Sequence, residues 1–95
     1  MLEKLTLDDF TPHVGAGWGL RLADRKVELV LEEARRLGAA GAGGRPFSLL
    51  FRGPAALAIP QGIQRLEHPV AGAVELFLVP LQPDADGSLF EAVFT

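Results

Sequence analysis

Lys26-Val27-Glu28-Leu29-Val30-Leu31-Glu32-Glu33-Ala34-Arg35-Arg36-Leu37 supports two readings, and the fold class follows from which one holds. Val27, Leu29 and Leu31 alternate with Glu28, Val30 and Glu32, the period of two of a half-buried strand. Val27, Val30, Leu31, Ala34 and Leu37 also fall at i, i+3, i+4, i+7 and i+10, the stripe of an amphipathic helix. The Glu32/Arg36 pair and the following Gly38 favour the helix. The β-branched start and the strand-patterned neighbours favour the strand. We read a strand over residues 27–33, with the helix as its alternative.

Working outward, Trp18, Leu20 and Leu22 alternate with Gly17, Gly19 and Arg21, and Ala23-Asp24-Arg25 makes a hairpin turn. On the other side, Gly38 to Arg45 (GAAGAGGR) is a low-complexity loop, the segment expected to move most. Phe47, Leu49 and Phe51 alternate with Ser48, Leu50 and Arg52 until Gly53-Pro54. Ala55 to Pro60 is an apolar connection. Strands are expected over 61–68, ended by Pro69, and over 74–81, ended by Pro80 and Pro83. Asp84-Ala85-Asp86-Gly87 is a turn, with Gly87 suited to positive φ, and a last strand carries Phe90, Ala92 and Phe94. At the start, Thr6 is placed to cap a short helical turn with Asp8 and Asp9 at its positive end, and Pro12 ends it.

These elements amount to an all-β chain: a small, mostly antiparallel barrel or sandwich of about six strands with a short N-terminal helical turn. Ninety-five residues make a single domain, 1–95. No room remains for the crossover helices of a doubly wound parallel sheet.

Composition narrows the functions. Nine Lys plus Arg against twelve Asp plus Glu give a net charge of −3, the wrong sign for a nucleic-acid binder. Cysteine is absent, which removes disulfides, Cys-ligated metals and a thiol nucleophile. No apolar run approaches the ~20 residues of a membrane helix, and Met1-Leu2-Glu3-Lys4-Leu5 lacks signal-peptide character, so no membrane association and a cytoplasmic location are expected.

Catalytic signals are thin. His13 and His68, with Asp8, Asp9 or Glu67, carry metal-ligating atoms but no recognised metal spacing, and each histidine adjoins a proline at an element end. Ser48 lies within a strand and Ser88 in a turn, neither on a nucleophile elbow. The glycines of 38–44 lack the Gly-Lys-Ser/Thr ending of a phosphate loop, and Asp84-x-Asp86-Gly87 lacks the closing acid of a calcium loop. No enzyme activity, cofactor or metal is expected.

Leu5-Thr6-Leu7-Asp8-Asp9-Phe10, Pro46-Phe47-Ser48-Leu49-Leu50-Phe51-Arg52-Gly53-Pro54, Pro60-Gln61-Gly62, Leu66-Glu67-His68-Pro69, Leu76-Phe77-Leu78-Val79-Pro80 and Glu91-Ala92-Val93-Phe94 together resemble a small bacterial family known as a domain of unknown function. The resemblance spans nearly the whole chain. Members typically carry aromatics near positions 64 and 90; this chain has Gln64, which changes any pocket there. The resemblance brings no catalytic residues. Families of this kind stand beside phage-tail-collar-type proteins, which implies a role accessory to a phage-tail-like assembly.

Two functions follow as expectations. Leu49-Leu50 and the run 76–81 are apolar on both strand faces, more than one core of this size requires. A non-enzymatic interaction or assembly module, docking a protein partner or a second copy through Leu50, Leu76 and Leu78, accounts for that excess. The alternative is a small-ligand-binding β-barrel, with Trp18, Gln64, Leu66 and His68 around a pocket. Trp18 between two glycines is otherwise a core residue.

Overall fold

Residues Lys26–Arg36 form one unbroken strand, which decides the fold class in favour of β. The structure is a computed structural model that describes residues 5–38 and 45–95. Six strands are present: β1 Gly17–Arg21, β2 Lys26–Arg36, β3 Phe47–Gly53, β4 Gly62–His68, β5 Gly72–Asp84 and β6 Gly87–Phe94. They close into an antiparallel barrel in the order β1-β2-β3-β6-β5-β4. The low-complexity loop expected over 38–45 lies largely outside the described residues.

The helical look of β2 has a specific origin. Val27, Leu29 and Leu31 lie across from Leu20, Trp18 and Phe51, so each faces the interior. Between Leu31 and Glu33 the register shifts by one residue, a β-bulge at Glu32. The next inward residue is therefore Ala34 rather than Glu33. That step of three, 31 to 34, imitates a helical stripe in the sequence. Val30 points outward and is exposed, which a helix burying Val30 with Leu31 would not allow.

The interior of a small barrel is filled by side chains. Here Trp18, Leu20, Leu29, Leu31, Phe47, Leu49, Phe51, Leu66, Leu76, Leu78 and Phe90 are essentially inaccessible. Ile59, in the connection from β3 to β4, closes the end opposite the N-terminal turns. There β3 and β6 approach closely at the Gly53/Ser88 pair. Gly87 adopts φ +136°, and a Cβ at that position would run into the Gly53 carbonyl oxygen.

Three expected boundaries move. β2, expected over 27–33, runs on to Arg36. β5 does not stop at Pro80 and Pro83 but continues to Asp84. Its pairing with β4 ends at the Leu78/Gly62 pair, so from Val79 onward β6 is its only strand partner among the described residues. Both prolines lie in this one-sided stretch, where a missing N–H is tolerated. Nor does Pro12 terminate the N-terminal turn. One 3-10 turn covers Leu7–Asp9, and Pro12 sits inside a second, Thr11–His13.

Candidate functional site

The two N-terminal turns lie across one barrel end, held by aromatic packing. Phe10 is fully buried, its ring centroid 5.6 Å from Trp18, 6.2 Å from Phe47 and 6.0 Å from Phe94. Asp9 stabilises the first turn by accepting hydrogen bonds from the Thr6 N–H and hydroxyl. Arg45 donates to the Leu5 carbonyl at 2.6 Å, with its guanidinium 5.4 Å from the Phe94 ring centroid.

The second turn brings His13 against the end of β4. The His13 and His68 ring centroids are 4.2 Å apart, and His68 is 4.8 Å from Trp18. His68 Nδ1 accepts the N–H groups of Val70 and Ala71, both at 3.0 Å, pinning the β4–β5 turn. Neutral His68 therefore carries its proton on Nε2. Burial, with a contribution from His13, pushes the His68 pKa below its ordinary 6.5. The same geometry argues against His68 as a metal ligand: Nε2 would have to lose its proton to Nδ1, which faces two N–H donors.

Above Trp18 these elements leave a cavity of about 480 Å3, lined by Asp8, Asp9, Phe10, His13, Trp18 and Val70 among others. The Trp18 indole N–H is buried and finds no acceptor. Of the four pocket residues expected from sequence, the structure brings Trp18 and His68 into contact, and Trp18 alone lines this cavity. His68 lies beside it, its ring tilted 41° to the indole. Leu66 is in the core, and Gln64, paired with Leu76 on the inner face, is not among the lining residues. Asp8, Asp9 and His13 were visible in the sequence as isolated polar residues; nothing there placed them over Trp18. A second cavity of about 460 Å3, at the opposite barrel end, is lined by apolar residues including Leu57, Ile59, Pro60, Pro80 and Leu89.

The outer face of β4, β5, β6 and β3 requires a correction. Leu76 and Leu78, expected at an interface, point inward and are each 1% exposed. The residue between them points out. Phe77 is 48% exposed and lies across from Ile63, itself 63% exposed. Leu81 and Val93 are also exposed, and Leu50, Val79 and Leu89 are half-buried beside them. The excess apolarity belongs to the strands expected, but on β5 it sits one position away, which in a strand is the opposite face.

The family model for a domain of unknown function, DUF6916, matches residues 5–94. The chain belongs to this family. No curated protein matches it, and no solved structure does.

In this DUF6916 domain the serines considered as nucleophiles have other surroundings. The Ser88 hydroxyl donates to the Pro54 carbonyl at 2.9 Å. Ser48 is buried opposite Val93 and Arg35. Among the described residues there is no Ser–His hydrogen bond, and no cluster of three or more His, Asp or Glu side chains is placed to hold a metal ion. No described helix is long and apolar enough to cross a membrane. Part of the charged surface is locally paired. Lys26 reaches Glu67 at 2.9 Å and Arg65 reaches it at 3.1 Å, holding its carboxyl at about 2. Arg52 bridges Glu32, at the β2 bulge, and Asp84, at the end of β5.

Proposed function

We propose that the domain is a non-enzymatic interaction and assembly module that pairs with a second copy of itself through the outer face of β4, β5, β6 and β3. The observation that carries this reading is the Ile63/Phe77 cross-strand pair, two large apolar side chains left in water on a face whose central charged residue, Glu91, lies between Leu50 and Val79. With Leu81, Val93 and their half-buried neighbours, this face exposes on the order of 400 Å2 of apolar surface, a size that often marks an interaction site.

The magnitudes set the strength. Burying about half of that area on each of two copies contributes ~10 kcal/mol at ~25 cal/mol per Å2. Association costs ~4–15 kcal/mol, so the expected pairing is weak and concentration-dependent. A closed homodimer is the simplest arrangement in which such a patch is covered by its own copy.

Light scattering and sedimentation across a concentration series test the proposal. The wild-type chain is expected to shift from monomer to dimer as concentration rises. An Ile63→Ser/Phe77→Ser double variant should remain a folded monomer throughout. A wild-type chain that stays monomeric into the millimolar range overturns the proposal, as does a double variant that dimerises equally well.

A further inference from the structure

Closure of the barrel end around Trp18 depends on a pair of imidazole rings. Trp18 is fully buried, and two of the rings around it titrate: His68, centred 4.8 Å away, and His13, centred 6.1 Å away. The histidines touch each other, with centroids 4.2 Å apart and planes tilted 46°. His13 comes from the second 3-10 turn and His68 from the last position of β4. The only two histidines in the chain are thus brought together from opposite sides of one contact.

This contact accommodates only neutral His68. A proton on Nδ1 would face the Val70 and Ala71 N–H groups, each 3.0 Å away, so protonation has to break both hydrogen bonds. It would also set a positive charge against a second imidazole. The charged groups of the surrounding elements do not reverse this. From the first turn, Asp8 and Asp9 line the same cavity as His13, with Asp9 engaged by Thr6. Glu67 adjoins His68 but lies on the outer face, where Lys26, Arg65 and Arg21 hold it. Burial and His13 together leave the His68 pKa below its ordinary 6.5. The added proton therefore belongs to a form in which the contact is broken. The segment free to move is set by its anchors: Phe10 is fully buried on one side, and Gly15 and Ala16 bond the backbone of Leu31 on the other.

We propose that the His13–His68 contact is an acid-released latch. In neutral solution it holds residues 11–14 and the 69–71 turn around Trp18. Protonation of His68 lets both segments lift away while the barrel stays folded.

Trp18 is the only tryptophan, so acrylamide quenching of its fluorescence reports on this end of the barrel alone. As pH falls below ~6.5, the indole of the wild-type chain is expected to pass from shielded to quencher-accessible with the far-UV circular dichroism unchanged. The ratio of open to closed forms should rise by at most about tenfold per pH unit, the limit for uptake of one proton. In 1H–15N spectra the Val70 and Ala71 amides should shift with the same midpoint, whereas those of Leu29 and Leu76 in the core strands should not. His68→Asn keeps a side-chain acceptor but removes the titrating group, and its indole should stay shielded over the same range. The proposal is overturned if Trp18 stays shielded until the strand signal is lost, if the Val70 and Ala71 amides do not follow its exposure, or if His68→Asn shows the same step.

Discussion

Adjacent residues on β5 offer a stringent test of the barrel's register. Leu78 is 1% exposed and faces the interior across from Gly62, whereas Phe77 is 48% exposed and faces outward across from Ile63. Truncating a buried leucine to alanine removes its transfer free energy and leaves a cavity, at about 3 kcal/mol. For a domain of this size each kcal/mol lowers Tm by roughly 4–8 °C, so Leu78→Ala should lose about 12–24 °C. Total stability of such a domain is about 5–14 kcal/mol, so the variant should still fold in the cold. Phe77→Ala removes a larger side chain but forfeits only its covered half and its pairing with Ile63, at about 1 kcal/mol.

Urea titration of both variants against wild type is the assay, with the midpoint read at unchanged slope. Dilute samples are required, because a dimer adds concentration-dependent stability. Equal losses from the two variants, or a larger loss from Phe77→Ala, would refute the assignment of Leu78 to the core and Phe77 to the surface. The outer docking face would fall with it. A concentration-dependent midpoint in wild type that vanishes in Phe77→Ala is the additional result expected if this face pairs two copies.

Two further outcomes follow from the ends of the barrel. Gly87→Ala places a Cβ against the Gly53 carbonyl in a backbone conformation that only glycine adopts readily, and should cost about 1–3 kcal/mol by thermal unfolding. His68 is held neutral in the folded chain, with its pKa pushed below 6.5, so the unfolded chain binds the extra proton as pH falls. Its contribution is therefore complete above pH ~6.5 and is lost as the pH drops below that value. His68→Asn keeps a side-chain acceptor for the Val70 and Ala71 N–H groups and should flatten this acid-side slope in a pH series of melts.

Much of the barrel was legible because its strands are separated by residues with defined conformational roles. Asp24-Arg25, Gly53-Pro54 and Asp86-Gly87 bound strands where they were expected. What the sequence left open was parity. From Leu76 to Leu81 every residue is apolar, so alternation cannot say which three face inward, and pairing with Gln64 and Leu66 across β4 sets the answer. The same limit explains β2, where one inserted residue at Glu32 changes parity midway and imitates a helical period. Prolines misled in the opposite direction. Pro80 and Pro83 look like terminators until the shorter partner β4 shows that half of β5 has a strand on one side only.

The cavity was less legible than the fold for a related reason. Its polar residues come from 8–13, its floor from Trp18 in β1, and its far wall from Val70 to Val74 at the β4–β5 turn. Each segment by itself has an ordinary local explanation: Asp9 caps a turn, His68 pins a turn, and Trp18 fills a core. Those roles also gather the three segments around one cavity. Asp9 holds the first turn, Phe10 anchors it onto Trp18, and the following turn brings His13 against His68, leaving Asp8 free at the cavity's edge. Among the described residues the buried Trp18 N–H has no acceptor, and neither capping nor packing supplies one.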